Sequence, residues 1–151
     1  MMTKRCSRTR TQKEALLRDT LLRTLQDRHE ALEKALRGGD LQMAVRAYLS
    51  PEHRDAPGTG CPVAALASEV GRHPRATRRT FASHVEPTLD ALAVWLSSRR
   101  GKELGRADAA AFMGLLAGTL QLARATPERA ESDAILEAGI RAALRLTDGD
   151  G

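Results

Sequence analysis

Apolar positions recur along most of this chain at steps of three and four, the spacing of one face of an α-helix. Between Gln12 and Arg37, Leu22, Leu25, Leu32 and Leu36, with His29 among them, make one such stripe. Gly38-Gly39 stops that helix, and Asp40 is placed to cap a second one carrying Leu41, Val45 and Leu49 as far as Ser50-Pro51. A Gly/Pro-containing loop is expected from Pro51 to Gly60. A short helix follows from Pro62 to Gly71, with proline in the first turn, where its missing N–H costs nothing. His73-Pro74 then opens a long helix reaching Arg99, striped by Phe81, Val85, Leu89, Leu92 and Leu96. Pro87 lies inside that stripe and predicts a kink near Ser83.

The last two predicted helices, Arg106 to Ala125 and Ser132 to Thr147, break the one-stripe rule. The segment Ala109 to Leu122 has hardly a polar face, and a helix apolar all round must be covered on every side. On 132–147, Leu136, Ile140, Ala143 and Leu144 form one stripe, and Ile135, Gly139, Ala142 and Leu146 a second. One side meets the chain's own core, and a second copy is the natural cover for the other. Gly114 and Gly118, four residues apart, favour a close approach of helices. The pattern predicts an isologous dimer through a four-helix bundle, with Gly114, Leu115, Gly118, Leu122, Ile135, Leu136, Ile140 and Leu144 at the interface. The competing expectation is a central hairpin buried inside a monomer.

No stretch shows the period-two alternation of strands, and Ala, Leu and Arg dominate throughout, so the fold class is all-α with about six helices. A chain of 151 residues suffices for one core and one domain. The longest apolar run is too short to span a bilayer, which takes about 20 residues, so no membrane segment is expected.

Charge changes the picture less than its total suggests. The net charge of +5 resides in Lys4, Arg5, Arg8, Arg10 and Lys13; beyond them 19 bases face 19 acids. The body therefore has no net pull on phosphate. Residues 1–12 read as a disordered basic leader, 13–147 as the body and 148–151 as a disordered tail. Cys6 and Cys61 make a poor disulfide framework and no apolar leader precedes them, which points to the cytoplasm.

The segment "HRDAPGTGCPVAALASE" (53–69) looks like a site because it sets Cys61 where a loop becomes a helix. As a nucleophile, Cys61 would need a base within reach, and His53 is the nearest in sequence. As a redox sensor it would need an exposed thiol of lowered pKa, with Arg54 the nearest cation. No metal-ligand spacing joins His29, His53, Cys61, His73 and His84, and no cofactor is expected. The plain reading is a small apolar side chain at a helix start. His29 and His84 are core or boundary histidines that would serve as polar anchors if a pocket exists. Phe81, Trp95, Phe112 and Met113 read first as core. Arg72, Arg75, Arg78 and Arg79, and Arg99, Arg100 and Lys102, read as solvated surface, since no aromatic residues are interleaved to stack bases.

Segment 53–69, Phe81, "FMGLLAGTLQLARA" (112–125) and "SDAILEAGIRAALRL" (132–146) together resemble the C-terminal body of TetR-type transcription regulators. The likeness runs from Lys13 to Leu146, and "KEALL" (13–17) looks like the point where such regulators pass from the DNA-binding head into the body. The resemblance implies a cytoplasmic, all-α regulator body without enzymatic activity, dimerising through its last two helices. It also implies a cavity for a small apolar effector, assigned here to His29, Cys61, Leu66, Phe81, His84, Phe112, Met113 and Leu116. Only "MMTKRCSRTRTQ" stands where the family carries its three-helix head, so direct DNA binding is not expected of this chain. The expected assembly is a homodimer, and two roles follow: a ligand-responsive partner that pairs with a full-length relative and leaves one operator half-site unread, or a remnant with ligand binding only. The alternatives are a small helical enzyme using Cys61 and a non-specific nucleic-acid binder working through the basic leader.

Overall fold

The structure, a computed structural model, describes residues 40–147. The first predicted helix with His29, the leader with Cys6 and the tail lie outside the described residues. Within them every regular element is helical: α1 (Leu41–Tyr48), α2 (Pro51–Asp55), a 3-10 turn (Pro57–Thr59), α3 (Pro62–Val70), α4 (Arg75–Arg100), α5 (Arg106–Ala125) and α6 (Arg129–Thr147).

Local chemistry accounts for most of these boundaries. The Asp40 carboxylate accepts the Met43 N–H at 3.2 Å, the expected cap of α1. In place of the loop expected after Ser50-Pro51 the chain starts α2, because a pair that ends one helix is also a good beginning. Ser50 Oγ accepts the His53 N–H at 3.1 Å and Pro51 sits in the first turn. Helix α4 runs as one element across Pro87 and stops at Gly101, whose φ of 58° lies in the left-handed region. Asp108 accepts the Gly105 N–H at 2.8 Å and opens α5. Helix α6 begins three residues before the predicted Ser132.

Helices α5 and α6 form the centre. Leu120 and Ala109 are fully covered, and Phe112, Met113, Leu116 and Ala123 join Leu136, Ile140 and Ala143 of α6, Leu92, Ala93 and Leu96 of α4, and Val45 and Leu49 of α1 in one core. A second, smaller cluster gathers Val63, Leu66, Phe81 and Leu89 around buried Val85. Half-buried Val63 and Leu89 touch both clusters and join them.

The two closing helices meet so tightly at Gly139 that a Cβ there would stand 2.3 Å from Thr119 Cγ2. This corrects one expectation about α6: Leu136 and Ile140, assigned to the dimer face, lie in the chain's own core, and Gly139 is buried against α5 beside them. Leu115, Ile135 and Leu144 are half-buried at its margin. The remaining predicted interface residues face outward: Gly114 and Gly118 have open space where a Cβ would be, and Leu122 is 63% exposed.

Candidate functional site

The residues assigned to a pocket are divided among three places. Phe112, Met113 and Leu116 belong to the main core, Leu66 and Phe81 to the small cluster, and Cys61 is half-buried at the cap position of α3. The shared Val63 and Leu89 make the first two one continuous apolar wall along α3, α4 and α5. His84 is half-buried on α4 with Nδ1 2.8 Å from the Thr80 carbonyl of its own helix, so one of its two ring nitrogens is already engaged.

A compact polar cluster stands around Cys61. His53 Nδ1 lies 2.6 Å from the Tyr48 carbonyl oxygen, and His53 Nε2 accepts the Cys61 backbone N–H at 3.1 Å. A carbonyl only accepts and an amide N–H only donates, so these two partners fix the neutral ring with its proton on Nδ1. The acceptor nitrogen is therefore turned to the backbone of Cys61 and is not offered to its thiol. The His53 ring also meets Tyr48 edge-on, with centroids 4.9 Å apart. Gly60 is required beside it, because a Cβ there would stand 2.8 Å from His53 Nε2.

The Tyr48 hydroxyl is the unusual member. Its oxygen is buried and, among the described residues, makes no hydrogen bond of ordinary geometry, the Cys61 thiol being the polar group beside it. Burial, followed by the neighbouring Cys61, raises its pKa far above the usual phenol range, so it stays a neutral O–H donor at every working pH. The indole N–H of Trp95, which half-buries against the main core, is a second buried donor without a partner among the described residues. Buried donors are nearly always satisfied, and each one left unmade costs about 1–3 kcal/mol. Two of them in a small helical body need a reason.

A second constellation ties α2 to the closing helices. Arg54 is only 5% exposed. It donates from Nε to Asp55 at 2.8 Å and from one terminal nitrogen to Ser132 Oγ at 2.9 Å and Asp133 at 2.5 Å. Arg124 donates to the carbonyls of Arg54 and His53 at 3.0 and 2.8 Å, and Arg129 reaches Asp55 at 2.8 Å. Hydrogen bonds from Arg54 and then Arg129 lower the Asp55 pKa to about 2, and Asp55 and Asp133 in turn raise that of Arg54. An open cleft of about 430 Å³ lies over this network. Its guanidiniums are already engaged by carboxylates and carbonyls, so it reads as a clasp holding Tyr48, His53 and Cys61 against α5.

The sequence singles out His53 and Arg54 only as a base and a cation near Cys61, and gives no sign of their partners here. Tyr48, Gly60 and Arg124 carry no such signal, because each acts through contacts that cross a helix break. Among the described residues no cluster of His, Cys, Asp and Glu has the arrangement of a metal site, and no helix is long and apolar enough to cross a membrane. No protein-family model matches the chain, and neither a curated protein nor a solved structure matches it.

Proposed function

We propose that the chain is a TetR-like regulator body that binds a small, mainly apolar effector and pairs with a second copy through the outward faces of α5 and α6. The observation that carries this reading is the character of those faces. Gly114, Gly118 and Leu122 on α5 are open to solvent or have open space beside them, and Leu146 on α6 is 50% exposed, with Ile135 and Ala142 half-buried beside them. Small residues at a spacing of four with flanking leucines make a smooth apolar strip, suited to close helix packing rather than to water.

The effector half of the reading rests on the continuous apolar wall and the unpaired donors near it. A binding pocket combines a greasy lining with a few placed polar groups. The Tyr48 O–H is such a group, and it calls for a ligand bearing a carbonyl or ether oxygen. Thermal melting against apolar compounds with one acceptor oxygen tests this. A hit should raise the melting temperature of the wild-type chain and lose most of that effect in Tyr48→Phe. Equal shifts in both proteins would remove Tyr48 as the anchor, and no shift from any such compound would remove the effector reading.

A further inference from the structure

The head of α4 carries charge that no described residue pairs. From Val70 to Val85 the chain has no acid, four arginines (Arg72, Arg75, Arg78 and Arg79) and two histidines. None of the first ten residues of α4 is fully buried; the first that is buried is Val85, about 15 Å along the helix. Arg78 lies seven residues before Val85 and so continues the stripe that Val85 and Leu92 bury farther along. That end of the stripe is committed to charge.

The nearby acids among the described residues are taken. Glu69 pairs with Arg72 and His73 at 3.6 Å each, and Glu86 with Arg106 at 3.4 Å. Arg75, Arg78 and Arg79 form no ion pair with any described residue. The helix starts at Pro74 without a side-chain cap and has no acid in its first turn. Cations there oppose the positive end of the helix dipole, whereas Arg99 and Arg100 at the other end complement the negative one. The second cluster is explained by local stability and the first is not.

We infer that this end of α4 docks on the phosphodiester backbone of double-stranded nucleic acid. Guanidinium forks and open N–H groups at a helix start are the two kinds of donor that grip phosphate oxygens without reading bases. The exposed residues among the arginines are Gly71, Pro74, Ala76, Ala82 and Ser83. They include no large apolar side chain to centre a protein interface or enter a bilayer, and no aromatic ring to stack an unpaired base. This inference stands apart from the effector reading and from the basic leader.

The test is fluorescence anisotropy of a short random-sequence duplex with the full chain over a range of salt. Arg75→Gln, Arg78→Gln and Arg79→Gln together should weaken binding at least about tenfold and flatten the dependence of log K on log salt by about three units, near 0.9 for each phosphate no longer neutralised. These side chains are exposed, glutamine is as good a helix former as arginine, and removing cations from the positive end of the dipole is favourable, so the melting temperature should not fall. Three results overturn the inference: the triple variant binds as the wild type does; removal of residues 1–13 alone abolishes binding; or phosphatidylserine vesicles retain the chain at concentrations where the duplex does not.

Discussion

Alanine at Gly139 tests how closely α5 and α6 approach, on which the shape of the outward face depends. The new methyl carbon would lie 2.3 Å from Thr119 Cγ2, 2.8 Å from Thr119 Oγ1 and 3.0 Å from Thr119 Cβ. Ordinary carbon contacts lie at about 3.5–4.0 Å, so the helices would have to part by about an ångström or Thr119 would have to turn away. Overpacking of this kind costs about 1–3 kcal/mol, while alanine in a helix interior returns about 1 kcal/mol over glycine. A net loss of about 1 kcal/mol should lower the melting temperature by about 3 °C. Urea unfolding of Gly139→Ala, Thr119→Ala and the double variant measures the coupling directly. Because Thr119→Ala removes the two nearest atoms, the double variant should be more stable than the two single losses predict, by about 1 kcal/mol. A stabilised Gly139→Ala, or strictly additive losses, would mean that the two helices do not meet there.

Three further outcomes follow from the Tyr48 cluster and the clasp. Tyr48→Phe should leave the ligand-free chain as stable as the wild type or more so, by up to about 1 kcal/mol, since it removes a buried donor that has no well-placed partner among the described residues; a loss above about 2 kcal/mol in denaturant melts would mean that the hydroxyl is satisfied. Gly60→Ala should cost about 1–3 kcal/mol by driving a methyl group into His53, and thiol-reactive probes should then label Cys61 faster than in the wild type; unchanged stability and labelling would contradict the packing around Gly60. Asp55→Asn should destabilise the chain at neutral pH. The Asp55 pKa is lowered to about 2 from an ordinary value near 3.8, so the stabilisation is complete above the higher value, fades as pH falls between them and is gone below the lower. The gap in melting temperature between wild type and variant should therefore hold down to about pH 4 and close toward pH 2, and a gap independent of pH would refute the pairing.

Much of the architecture is legible in the sequence because helix-making signals are local. Asp40 before a leucine stripe and the Pro/Gly punctuation around α3 and α4 act within a turn or two of themselves. The bounds of α5 match the sequence expectation for the same reason. Ser50-Pro51 is ambiguous for a physical cause: serine and proline end one helix by the same properties that begin the next. Helix α6 starts earlier than expected because its first turn, Arg129, Ala130 and Glu131, is exposed and adds nothing to a stripe.

Long-range sidedness is the harder part. Periodicity shows that α6 has two apolar stripes but carries no sign saying which turns inward. Leu136 and Ile140 therefore occupy the face opposite to the one expected of them, and Gly139 lies inside because its missing side chain is what lets Thr119 approach. The cluster around Cys61 joins residues five and eight positions apart across helix breaks, where no period exists to betray it. Arg54 resembles part of a solvated loop in the sequence because its partners Ser132 and Asp133 lie far along the chain.

The most direct measurement is the mass of the wild-type chain by static light scattering at micromolar concentration, beside that of Leu122→Glu. If a second copy covers the outward faces of α5 and α6, the wild type should give twice the 16.4 kDa of one chain. The variant, with a charge in the middle of that strip, should fall to the single-chain mass and keep its helical circular dichroism. A wild-type mass of one chain at that concentration, or a variant that stays paired, would contradict the account.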